Sequence, residues 1–114
     1  MLRCLGMSKR DSLQGALDLM VLKILSRQDQ LHGYGIMTAI EQIGGTDLRV
    51  EEGSLYPALR RMEQAGWLRA AWVDRSGRRA RVYELTRAGQ KHLADVEAKW
   101  HTATAAVNRV LKMA

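Results

Sequence analysis

Between Leu68 and Leu85 the chain abandons helical spacing, and that change limits what it can fold into. Leu68 to Asp74, with Trp72 and two alanines, reads as a strand, and Ala80 to Leu85, with Val82, Tyr83 and Leu85, as its return. The RSGRR between them is a turn, with Gly77 as the residue that tolerates positive φ. Helical stripes flank this hairpin on both sides. From Ser12 to Ser26, Leu13, Ala16, Leu17, Met20, Val21, Ile24 and Leu25 recur at intervals of three and four, so a helix is expected there, capped by Asp11 or Ser12.

QDQLHGYG then breaks the pattern. A second helix is expected from Gly33 or Tyr34 to Ile43, with Ile36, Ala39, Ile40 and Ile43 facing inward and Gly44-Gly45 stopping it. TDLRV reads as an extended link, a strand of two or three residues. The stretch GSLYPALRRMEQAGWL, residues 53–68, repeats Leu55, Leu59 and Met62 at helical spacing and ends at Gly66, yet contains the chain's only proline. If this third helix starts at Ser54, Pro57 lies in its first turn, where a missing N–H matters little. If it starts nearer Glu51, Pro57 frees the carbonyl of Gly53. Thr86 caps a last helix running to about Met113. The fold class is mainly α with a small β-hairpin: a winged helix-turn-helix plus a C-terminal dimerisation helix. The chain divides into an extension over 1–11, the winged unit over 12–85 and the last helix over 86–114. Met7 is an alternative start, which would leave residues 1–6 without a role.

With 114 residues and a formal net charge of +6, the chain has the size of one domain and a basic surface suited to nucleic acid or another anionic partner. The charge is uneven: residues 49–92 hold ten Lys/Arg against five Asp/Glu, whereas residues 1–48 hold five of each. Leu55, Leu59 and Met62 take the core, so Tyr56, Arg60, Arg61 and Gln64 fall outside it. In a helix-turn-helix the second helix enters the DNA major groove by its N-terminal part, which places Ser54, Tyr56 and Arg60 to meet DNA. Arg61 is counted with Arg60 among the groove and phosphate contacts, although Arg61 and Gln64 read equally well as a solvated face. Arg75, Arg78, Arg79 and Arg81, with no acid among them, suit phosphate contact by the hairpin, since arginine offers a planar fork of donors. The same charges would also keep a hairpin tip from pairing edge to edge.

Leu93, Val96, Trp100, Ala103, Val107 and Val110 step by three and four. A seam this long suggests a second copy and a twofold dimer on a pseudo-palindromic site. The other reading is a seam packed on its own domain. Trp100 fills space there, or lines a pocket for a planar ligand.

No metal site is expected, because His32, His92 and His101 are scattered and Cys4 is the lone cysteine. Cys4 also fits a reducing, cytoplasmic setting. No phosphate-cradling or nucleophile motif appears, and Glu51-Glu52 reads as the acidic start of a helix, so neither an enzyme nor a cofactor is expected. No signal peptide or membrane span is expected either. His32, just before helix two, reads as structural or phosphate-contacting. The rival to DNA binding is a winged-helix protein–protein module whose basic face meets an acidic partner.

LHGYGI (31–36), EGSLYPALRRMEQAGWL (52–68) and YELTRAG (83–89) together resemble the PadR family of bacterial transcriptional regulators, in its short subfamily with one helix after the wing. The resemblance implies a winged-helix DNA-binding domain, a homodimer through the last helix, and repression. It further implies that Tyr56 contacts the DNA backbone and that Tyr34, opening helix two, reaches a phosphate or packs. Members often release DNA on sensing a small hydrophobic or aromatic molecule, and Trp100 falls where an aromatic residue lines the effector pocket of some drug-responsive members.

Overall fold

The computed structural model describes residues 9–113. Cys4 and most of the expected extension lie outside them. The first helix, α1, spans Lys9–Arg27 and sends Leu17, Val21, Leu22 and Leu25 into the core. It begins before Asp11 and Ser12, which therefore lie within the helix and do not cap it. No glycine or proline separates Lys9 from Ser12, so nothing in the sequence stops the helix at the expected cap.

The third strand of the sheet lies where a break was expected. Leu31–His32 form β1, pairing antiparallel with Tyr83 and Val82. The expected strand over TDLRV is instead a 3-10 turn, Gly45–Asp47, followed by unpaired chain. The reason is a competing acceptor. The Val50 N–H donates to the Glu41 carboxylate at 3.0 Å, so that donor is satisfied without a ladder.

Helix α2 spans Gly33–Gly44 and buries Ile36 and Ile40. His32 caps it, its Nδ1 accepting from the Gly35 N–H at 2.7 Å. Gly45, at φ 78, ends it. Ile43, expected inside, is 76% exposed. The last turn of α2 runs past the core, and Leu48 lies so close to Gly44 that any side chain there would overlap it.

Helix α3 spans Glu52–Gln64 and buries Leu55, Ala58, Leu59 and Met62. It starts at the earlier of the two expected points, so Pro57 sits in the second turn and withholds the usual donor from the Gly53 carbonyl. Gly53 is exposed, so water can take that carbonyl. The helix ends in a Schellman motif: Trp67 N–H donates to the Met62 carbonyl, Gly66 N–H to that of Glu63, and Gly66 adopts φ 87.

Strands β2 (Leu68–Arg75) and β3 (Arg78–Leu85) meet at a two-residue turn, Ser76 and Gly77, with φ 51 and 77. Two successive positive φ values are the mark of a type I′ turn, whose twist matches that of the strands. The ladder thus takes in Arg75, Arg78 and Arg79, three residues expected in the turn.

Helix α4, Arg87–Leu111, is about 37 Å long at 1.5 Å per residue. Thr86 joins three elements at its start. Its hydroxyl accepts from the Gly89 N–H at 2.9 Å and donates to the Gly66 carbonyl at 2.6 Å. Gly89 packs so tightly on the Trp67 carbonyl that a methyl group would overlap it. Trp67 in turn stacks on His92, the ring centroids 3.6 Å apart.

The expected six-residue intermolecular seam is divided. Leu93 belongs to the monomer's own core, with Val96 packed against it. Ala103 is half-buried, whereas Trp100, Val107 and Val110 are exposed. The physical reason is that the first turns of α4 lie along α1, where Lys23 and Glu97 form an ion pair at 3.2 Å. The winged unit therefore draws part of its core from beyond residue 85.

Candidate nucleic-acid interface

A contact between the first two motifs brings Tyr34 and Tyr56 together. The Tyr56 ring lies on Gly33, where even one Cβ atom would fall 2.7 Å from it. This places the start of α2, with Tyr34, beside the first half of α3. Tyr56 is nevertheless exposed on its other side, as is Tyr34. His32, held by its capping bond, lies with its ring 6.4 Å from that of Tyr34, which is a structural role. Ser54 and Arg60 are exposed on the outer surface of α3. Tyr56, Pro57, Arg60, Arg61 and Gln64 line an open groove of about 360 Å³ along it.

The sequence puts Arg61 and Arg81 in the same contact set as Arg60, but the structure gives both of them carboxylate partners. Arg61 binds Asp18 of α1 through both nitrogens, at 2.7 and 3.0 Å. That hydrogen bond raises the guanidinium further above its ordinary pKa, against the opposing effect of desolvation. Arg81 donates to Glu63 of α3 at 2.9 Å and so ties the hairpin to that helix. Burial pushes the neighbouring Tyr83 phenol up, with Arg81 pulling the other way. Arg78 and Arg79 are exposed at the hairpin tip, and among the described residues neither has an ion pair.

Sequence reasoning missed Asp18 and Glu63 as holders of the arginines. No local signal could have found them, because Asp18 lies 43 positions from Arg61 and Glu63 lies 18 from Arg81. It also passed over Trp72, against whose ring Arg79 and Arg81 both lie. The register signal for that was available, since Trp72 faces Arg81 across the ladder.

Residues 21–95 match the model of the transcriptional regulator PadR-like family. The chain belongs to that family. A PadR-like transcriptional regulator of Bacillus cereus is 30% identical, with 91% of this chain and 99% of that one covered at a TM-score of 0.76. A PadR-like transcription factor of Bacteroides fragilis is 27% identical, covering 90% and 96% at 0.74. A transcriptional regulator of Clostridium thermocellum, 24% identical, shares the fold over 90% and 99% at 0.82. The protein is thus a DNA-binding transcriptional regulator with a winged helix, and not an enzyme. Among the described residues, no helix is long and apolar enough to cross a membrane, and no cluster of His, Cys, Asp or Glu could hold a metal ion.

Proposed function

We propose that the protein is a homodimeric repressor that binds a pseudo-palindromic DNA operator and acts in the cytoplasm. The N-terminal half of α3 enters the major groove. Ser54 and Arg60 meet bases or phosphates there, and Tyr34 and Tyr56 contact the DNA backbone. Arg78 and Arg79 hold phosphates from the wing. Arg61 and Arg81 border this surface and act mainly by bracing it, through Asp18 and Glu63. The observation that carries the reading is the joining of Tyr34, Tyr56 and Arg60 into one exposed surface by the packing of Tyr56 on Gly33.

The dimer forms through the exposed part of α4, with Trp100, Val107 and Val110 meeting their counterparts and Ala103 allowing close approach. Trp100 there lines a pocket for a flat hydrophobic or aromatic effector, whose binding releases the DNA.

The wing is tested by Arg79→Ala. Binding to all duplexes should weaken about equally, and the slope of log affinity against log salt should fall by about 1. An unchanged affinity and slope would remove the wing contact from the proposal.

A further inference from the structure

Among the described residues, one large apolar side chain of the wing packs against no part of the core. Trp72 is 55% exposed. It pairs with Arg81 in the β2–β3 ladder, so it shares a sheet face with Ala70 and Tyr83. Nearer the body that face is closed by the core, where Tyr83 is buried and Ala70 packs against it. At Trp72 the core has ended, and two guanidiniums lie against the indole instead. Arg79 stands 5.0 Å and Arg81 5.3 Å from the ring centroid.

The two arginines differ in what else holds them. Arg81 is fixed from its far side by Glu63. Arg79 stands across the ladder from Asp74, yet among the described residues no ion pair holds it. A long side chain with this freedom loses it on gripping a phosphate, and that loss weakens binding. A guanidinium over an indole face is attracted by the ring while its in-plane N–H donors stay available.

We propose that Trp72 is a positioning residue of the wing: it stacks Arg79 before DNA arrives, so that the guanidinium edge is already presented to the phosphate backbone. Arg81, bound to both Trp72 and Glu63, fixes the indole relative to α3. The inference rests on the reading of the wing as a DNA contact. It says that Trp72 strengthens binding without adding a phosphate contact of its own.

That distinction is measurable by salt titration of the intact protein on labelled duplex, read by fluorescence anisotropy. Trp72→Thr, which keeps a good strand former at the site, should weaken binding about three- to tenfold at about 0.15 M salt. Its salt slope should match wild type, because every arginine keeps its charge. Trp72→Tyr, which retains a ring face, should restore most of the affinity. In an Arg79→Ala background, Trp72→Thr should have little further effect. Wild-type affinity in Trp72→Thr, or an equal loss with and without Arg79, would overturn the proposal. If Arg79→Ala is itself silent, the wing contact has failed, which is a separate result. Should Trp72→Thr not fold, ¹⁵N relaxation at the Nε–H groups of the free wild-type protein decides. The proposal expects Arg79 to be more ordered than Arg78, and equal mobility would overturn it.

Discussion

The two halves of α4 carry the same apolar spacing and live in different surroundings. Over the first half, Gly89 presses on Trp67, His92 stacks on the same residue, and Leu93 is only 6% exposed. Over the second half, Trp100 is 46% exposed and Val110 67%. A core face and an intermolecular face impose the same demand on a helix, a stripe that returns every three or four residues. Spacing therefore cannot tell them apart. What separates the two halves is how far the domain's own core reaches, and among the described residues its last member on α4 is Val96.

The largest effect that sharpens this contrast belongs to the first half. Leu93→Ala removes a side chain from the core and should lower unfolding free energy by about 2–5 kcal/mol, measured by denaturant titration. A loss below about 1 kcal/mol would mean that Leu93 is no more part of the core than an ordinary surface residue. Trp100→Ala should behave differently. It should shift the monomer–dimer equilibrium in sedimentation by tenfold or more, as expected for a buried interface aromatic, and leave the fold intact. An unmoved equilibrium would break the contrast from the other side.

The smallest effect lies at the junction of the halves. Lys23 holds the Glu97 carboxyl below the usual carboxylate range, chiefly through their hydrogen bond. A depressed carboxylate stabilises the fold at neutral pH, and that stabilisation disappears as pH falls through the lowered value. Lys23→Met should therefore leave the melting temperature nearly unchanged in acid and lower it slightly at neutral pH. A larger decrease in acid than at neutral pH would contradict the pairing.

Much of this architecture was legible in the residues, and the motifs explain why. Gly33 is the floor for Tyr56, Thr86 and Gly89 lock α4 to the end of α3, and Gly66 supplies the positive φ of a Schellman turn. Such positions are dictated by local chemistry, so they can be read locally. Residues whose fate is set by distant partners could not be. Arg60 and Arg61 are neighbours in sequence, but only the fold brings Asp18 to Arg61. Ile43 fits the α2 stripe, but only the fold shows the core ending before it. The residues of TDLRV suit an extended strand, whereas pairing depends on which segment reaches the free edge of β3.

The central claim is sequence-specific DNA binding by a dimer. Its most direct test is anisotropy of labelled DNA from just upstream of the protein's own coding sequence, with random duplex as competitor at about 0.15 M salt. Binding should survive the competitor and saturate at two chains per duplex. Binding abolished by random DNA, or saturating at one chain per duplex, would contradict the claim.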